Sequence, residues 1–139
     1  MKNSEVLEIA ENYMHVWSAG NDGLLEKFAA GDLHVEYTHF PKSLNGIEEY
    51  RRVLKQTYNS FPDIKILVKE IDLSDNKAIV KWTYVGTHLN DILFGVEPSG
   101  RSVKVDGVSI LDINQGKVVR EYGIVDNLSL LIQLGAVKI

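Results

Sequence analysis

Hydrophobic positions at the start of the chain recur at helical spacing. Val6, Ile9, Ala10, Tyr13, Met14 and Trp17 share one face, and Ser4 stands where a cap belongs. The pattern predicts a first helix ending at Gly20, with Asn21-Asp22-Gly23 as the turn. A second, short helix over Leu24–Ala30 buries Leu24, Leu25 and Phe28, and Gly31 stops it. Leu33–Phe40 then reads as a strand closed by Pro41. Asn45 followed by Glu48 has the form of a capping box. It heads a third helix with the stripe Ile47, Tyr50, Val53, Leu54, Thr57, Tyr58 and Phe61, ended by Pro62.

From Ile64 the period changes to two. Ile64–Leu73 and Lys77–His88 predict a long hairpin around Ser74-Asp75-Asn76. A loop with Asn90, Gly95, Pro98 and Gly100 leads into a closing pair of strands, turned at Asn114-Gln115-Gly116, and a short C-terminal helix. Strict alternation along the last strand puts Val118, Arg120, Tyr122, Ile124 and Asp126 on one side, facing Leu111, Ser109 and Gly107 of its partner. That wall is mostly apolar and ends in a carboxylate. Two helices, a strand, a helix, four meandering strands and a small helix predict an α+β fold, a cone-shaped curved antiparallel sheet packed against the N-terminal helices. Its pocket lies between the inner face of the sheet and the helices, where small ligands commonly bind.

Composition narrows this reading. The chain of 139 residues is one domain, with an apolar fraction of 45% and a charged fraction of 24%. It has no cysteine, so disulfides and thiol chemistry are excluded. The net charge is −4 with lysine and arginine scattered, which leaves no footprint for nucleic acid. Glu5, Glu8 and Glu11 break the N-terminal apolar pattern, so no signal-peptide core is present. No run approaches the roughly 20 apolar residues of a membrane span. The expectation is a soluble, cytoplasmic protein without a membrane partner.

Four strings in register, FPDIKI (Phe61–Ile66), WTYVGTH (Trp82–His88), GVEPSGRSV (Gly95–Val103) and GKVVREYGIVDNLSLLIQLG (Gly116–Gly135), resemble the SnoaL-like polyketide cyclases, or ester cyclases. The order of elements is similar to the nuclear transport factor 2-like superfamily of α+β cones. The resemblance implies an intramolecular aldol condensation on an aromatic polyketide ester, with no metal or organic cofactor and one aspartate as acid and base. By the motif match that aspartate is Asp126. The resemblance also implies a homodimer packed through the sheets, which the outer face Lys104, Asp106, Val108, Ile110 and Asp112 would permit. The chain departs from the family pattern at Glu97, at Tyr122, which replaces the usual tryptophan, and over Ser102–Ile113, which lacks the histidine found beside the aspartate.

The candidate catalytic residues are thus Asp126, as general acid/base, and His88 on the face of Trp82 and Tyr84. A carboxylate that removes a proton beside a carbonyl needs an apolar surround to raise its pKa. Asp126 is equally placed to cap the last helix, a role that favours its ionised form. His88 has the plainer reading of a partly exposed residue at a loop edge. Tyr122, Trp82, Tyr84, Ser109, Trp17, Tyr13 and His39 are the candidate ligand-binding residues for a small hydrophobic or aromatic compound, most of the aromatics being equally explained as core. His34 and His39 fall on opposite faces of a strand, and no His/carboxylate cluster has the spacing of metal ligands. Three functions stay open: a cyclase- or isomerase-type enzyme, a non-catalytic binding protein, and a dehydratase or ketosteroid-isomerase-like lyase on the same cone.

Overall fold

The computed structural model describes residues 1–139. Helix α1 (Asn3–Met14) runs into a 3-10 turn at His15–Trp17, followed by α2 (Leu24–Phe28), β1 (Ala29–Tyr37), the two-residue β2 (Leu44–Asn45) and α3 (Ile47–Ser60). Then come β3 (Lys65–Ser74), β4 (Lys77–Thr87), β5 (Ser102–Asn114), β6 (Lys117–Val125) and α4 (Asn127–Gln133). The strands form one sheet in the order β2-β1-β6-β5-β4-β3. The α+β architecture matches the sequence expectation, with one refinement. β1 lies parallel to β6, the chain between them crossing over through β2, α3, β3, β4 and β5, so the curved sheet is mixed and unclosed. No helix is long and apolar enough to cross a membrane.

Three local expectations are corrected. Ser4 lies inside α1, whose flanking residue Lys2 makes no side-chain cap. Gly31 belongs to β1 instead of stopping a helix, since β1 starts already at Ala29 to pair with Val118 of β6. The head of α3 is Gly46 at φ 86°, and the carboxylate that reaches back to the Asn45 N–H is Glu49, at 3.1 Å, not Glu48. A left-handed backbone there suits only glycine comfortably.

The apolar stripes of α1 and α3 meet the inner sheet face. Val6, Ala10, Tyr13, Met14, Tyr50 and Leu54 pack against Val35, Ile66, Val80 and Leu111 in one core. A smaller core joins Phe61, Ile64, Val103, Val105, Leu130 and Leu134, and fastens α4 to the sheet.

The β5–β6 hairpin turns through Gln115 at φ 50° and Gly116 at φ 78°, the left-handed pair that a two-residue hairpin loop requires. Just beyond the turn the register slips. Ile113 pairs with Val118, but Asp112 already pairs with Arg120. One extra residue on β6 moves every later side chain to the other face. Glu121, Gly123 and Val125 therefore stand opposite Leu111, Ser109 and Gly107, while Arg120, Tyr122 and Ile124 face outward. The alternation read from the sequence is right up to Val118 and inverted after it.

Candidate functional site

Between the inner sheet face and the helices lies a cavity of about 550 Å³. Trp17 lines it from the 3-10 turn, Tyr37 and His39 from the end of β1, and Trp82 and Tyr84 from β4. Val53, Thr57 and Phe61 close it from α3, Ile92, Leu93 and Phe94 from the β4–β5 loop, and Val125 and Leu130 from the C-terminal end. No lysine or arginine borders it.

Two glycines shape the floor. The Tyr37 ring lies over Gly123, where an added Cβ would sit 2.2 Å from a ring carbon. The Trp82 ring lies over Gly107 in the same way, at 2.2 Å. Each ring and its glycine are neighbours across paired strands. Glycine inside a strand often marks such a close approach.

The polar ends of both rings converge below the floor on Glu121, which is fully buried. Its Oε1 accepts from the Tyr13 hydroxyl at 2.6 Å and the Tyr50 hydroxyl at 2.8 Å. Its Oε2 accepts from the Tyr37 hydroxyl and from Ser109 Oγ at 3.1 Å. Ser109 Oγ in turn accepts from Trp82 Nε1 at 2.9 Å. Burial pushes the Glu121 carboxyl up from its ordinary value, and the hydroxyl donors oppose that shift. Burial, and the carboxyl beside them, push all three phenols well up as well.

His39 stands at the rim of the cavity. Its ring meets Phe40 at 4.7 Å, Tyr37 at 6.1 Å and Phe94 at 6.2 Å. Desolvation by these neighbours lowers the imidazole from its ordinary 6.5, which favours the neutral base. Burial also pushes the Tyr84 phenol up. Trp17 packs edge-on to Tyr37 at 5.8 Å and to Tyr50 at 5.7 Å, with its indole nitrogen buried and unpartnered.

The other sequence candidates lie elsewhere. Tyr122 was expected on the cavity wall, but the register slip on β6 puts it on the outer face, 40% exposed. Asp126 is exposed too and borders an outer groove with Lys81, Lys104 and Asp106. Its Oδ1 accepts from the Ser129 backbone N–H at 3.0 Å, which makes it the N-cap of α4. The flanking Val125 and Asn127 reach the cavity instead. Tyr13 and Ser109 are buried as Glu121 donors and do not line the space. His88, directly after β4, is wholly buried behind Phe61, whose ring is 5.5 Å away, so it is not the partly exposed residue expected at that loop edge. Its Nε2–H donates to the Asp91 carbonyl at 2.7 Å, which anchors the loop that carries Ile92 and Phe94. A carbonyl only accepts, so that nitrogen carries the proton. His34 bonds Asn45 and Glu36 away from the cavity. No group of three or more His, Asp or Glu side chains converges as a metal site would need.

The sequence profile of the SnoaL-like polyketide cyclases matches residues 7–134. The chain belongs to that family. Among solved structures, this SnoaL-like protein is similar to TsrD from Streptomyces laurentii, at 21% identity over 99% of both chains with a TM-score of 0.86. It is also similar to IdmH from Streptomyces antibioticus, assigned as a polyketide cyclase, at 22% identity over 91% of this chain and 98% of that one, TM-score 0.77. A Catenulispora acidiphila protein of ketosteroid isomerase-like fold, bound to trimethylamine, matches at 16% identity over 92% of both chains, TM-score 0.76. No curated protein sequence matches the chain. At these identities the likenesses establish the fold. Two features of the SnoaL-like protein were beyond the residue pattern: the Tyr37 ring on the cavity floor and the Glu121 carboxyl buried beneath it. The strand glycines Gly107 and Gly123 were the available signal, because they marked where rings could lie flat on the sheet.

Proposed function

We propose that this SnoaL-like protein is a cyclase- or isomerase-type enzyme that works without a cofactor on a small, neutral, hydrophobic carbonyl compound of polyketide kind. The observation that supports this most is the aromatic, cation-free cavity with His39 at its rim, its imidazole lowered by burial from its ordinary value. Such a space accepts an uncharged ring system, and an imidazole lowered by burial can take a proton from the carbon beside a carbonyl. In this reading His39 is the general base. Asp126 positions the end of β6 and the start of α4 instead of reacting.

General acid/base groups typically contribute about 10²–10⁴-fold to a rate. His39→Ala is therefore expected to lower kcat at least about 100-fold on neutral aromatic β-keto esters. Asp126→Asn keeps the cap and is expected to stay within about threefold of the parent. Because burial lowers the imidazole, kcat/KM should hold through 6.5 and fall only at more acidic pH, as the base is protonated. Loss of turnover in Asp126→Asn with the fold intact would return the role to Asp126. A second reading, a non-catalytic binding protein, is favoured by the use of Asp126 as a cap. A ligand recovered unchanged after long incubation would establish it.

The homodimer belongs to this proposal as well. Outward-facing Val108, Tyr122 and Ile124, with Ile79 on β4, leave an apolar strip across the outer sheet face, Ile124 being 51% exposed. Burial against a second copy would remove that strip from water. Light scattering after size exclusion should show a dimer that Ile124→Lys turns into a monomer. A monomeric parent at high concentration would remove the idea.

A further inference from the structure

Four hydroxyls border the cavity, those of Tyr37, Thr57, Ser60 and Tyr84. Two of them are taken. Tyr37 is held by Glu121 beneath the floor, and Thr57 Oγ1 donates to the Val53 carbonyl at 3.0 Å, one turn back along α3. The Tyr84 phenol bonds to no protein group, and burial alone pushes it up, with no hydrogen bond adding to the shift. Ser60 is only 6% exposed, and its hydroxyl has no partner either. The other buried polar side chains, Thr83, His88, Ser109 and Glu121, all have one. The side-chain atoms closed off from solvent without a partner are Trp17 Nε1 and His88 Nδ1. Neither hydroxyl is sealed in that way, so both open on the space they border. A polar group withdrawn from bulk water is normally paired, so two free hydroxyls on one cavity wall point to a partner from outside the chain.

Both residues stand beside Phe61. Ser60 precedes it at the end of α3, and the Tyr84 ring lies 6.0 Å from the Phe61 ring. Ser60 is fixed through its main chain, whose carbonyl accepts from the Leu89 N–H at 3.0 Å and the Asn90 N–H at 3.5 Å. Tyr84 is fixed by strand pairing with Ile66 and Val105 and by Trp82, whose ring is 6.3 Å away. His39 belongs to the other side of the cavity. It follows β1, which β6 and β5 separate from the strand of Tyr84. A ring system filling the space between would bring one end to His39 and the other to the two hydroxyls. Each hydroxyl can donate to a keto oxygen or accept from a phenolic O–H.

Resting on the reading of the cavity as the site of a hydrophobic carbonyl compound, we infer that Ser60 and Tyr84 form a binding subsite for oxygen substituents, phenolic or keto, on the end of an aromatic ligand away from His39. The two residues select and orient the ligand, and no covalent step passes through them. A hydrocarbon end would strip both hydroxyls of water and leave them unpaired, whereas an oxygen pairs them. The subsite therefore favours oxygenated rings over plain ones.

The test uses the intact protein and needs no natural substrate. Equilibrium dialysis compares 2-naphthol with 2-methylnaphthalene, and 2-acetylnaphthalene with 2-isopropenylnaphthalene, each pair alike in shape and different in the oxygen. Ser60→Ala and Tyr84→Phe should each lower the ratio of oxygenated to hydrocarbon affinity about fivefold from its value in the parent, the worth of one neutral hydrogen bond. A loss with either oxygenated compound supports the subsite and names its oxygen as phenolic or keto. Neither substitution should lower the urea midpoint of the free protein, because each removes a hydroxyl without a protein partner. A lowered midpoint would give that hydroxyl a structural partner and overturn its assignment. Unchanged ratios in both variants, with all four compounds bound, would mean that water serves the hydroxyls and would overturn this inference alone. A parent that binds none of the four overturns it together with the reading of the cavity as a hydrophobic-ligand site.

Discussion

Glu121→Ala is expected to remove about 4 kcal/mol of folding stability, as large as core cavity mutations become. The substitution strands the hydroxyls of Tyr13, Tyr50, Tyr37 and Ser109 around an empty space. Each buried donor left without an acceptor costs about 1–3 kcal/mol, lowered where neighbours turn to one another, as Tyr37 and Ser109 can. Against the roughly 5–15 kcal/mol by which domains are stable, that is a large share. Urea denaturation measures it directly, and a loss below about 1.5 kcal/mol would mean that the cluster is not what joins α1, α3, β1 and β6. Glu121→Gln separates charge from shape. Because the folded carboxyl is raised above its ordinary 4.5, its contribution is complete below that value and is lost as pH rises through the folded pKa. The glutamine variant has no such proton to lose, so its stability relative to the parent should increase with pH on the alkaline side.

Gly123→Ala should cost about 3 kcal/mol, at the upper end of overpacking effects. The new Cβ would lie 2.2 Å from Tyr37 Cε2 and 2.5 Å from Cζ, on a ring held from behind by its hydroxyl and on its edge by Trp17. The ring cannot lift without leaving Glu121. Shape and hydrogen bonding are therefore coupled, and a double-mutant cycle exposes the coupling. In a Tyr37→Ala background the methyl group meets no ring, and the added cost of Gly123→Ala should fall below about 1 kcal/mol. A cost unchanged by the removal of Tyr37 would assign the glycine to backbone conformation instead.

Both predictions concern residues on which the order of elements is silent, and the contrast is instructive. The helical stripe from Val6 to Trp17, the stripe from Ile47 to Phe61 and the alternation on either side of Asp75 are local periodicities. Each exists because one face of an element must leave water, so the sequence alone determined the helices, the hairpins, the α+β class and the cavity between sheet and helices. The family strings added the likeness to the SnoaL-like cyclases, and the match over residues 7–134 agrees with them. Trp17, His39, Trp82 and Tyr84 line that cavity.

What the tertiary structure alone decided follows from one extra residue on β6. A bulge carries no composition of its own, because it is settled by which register lets both strands bury their apolar side chains. Ile113 and Val118 remain paired in the core on one side of it, and Leu111 faces Glu121 on the other. That slip turned Tyr122 to the outer face and Glu121 to the interior. Asp126, at the end of the same strand, is left on the outside to cap α4. The carboxyl buried beneath the cavity floor is thus Glu121, five residues before the aspartate that the motif singles out. Its partners come from helices and strands up to 108 positions away in the chain. Local spacing cannot express a cluster of that kind. It arises only when two helices and two strands close over the same glycine-lined stretch of sheet.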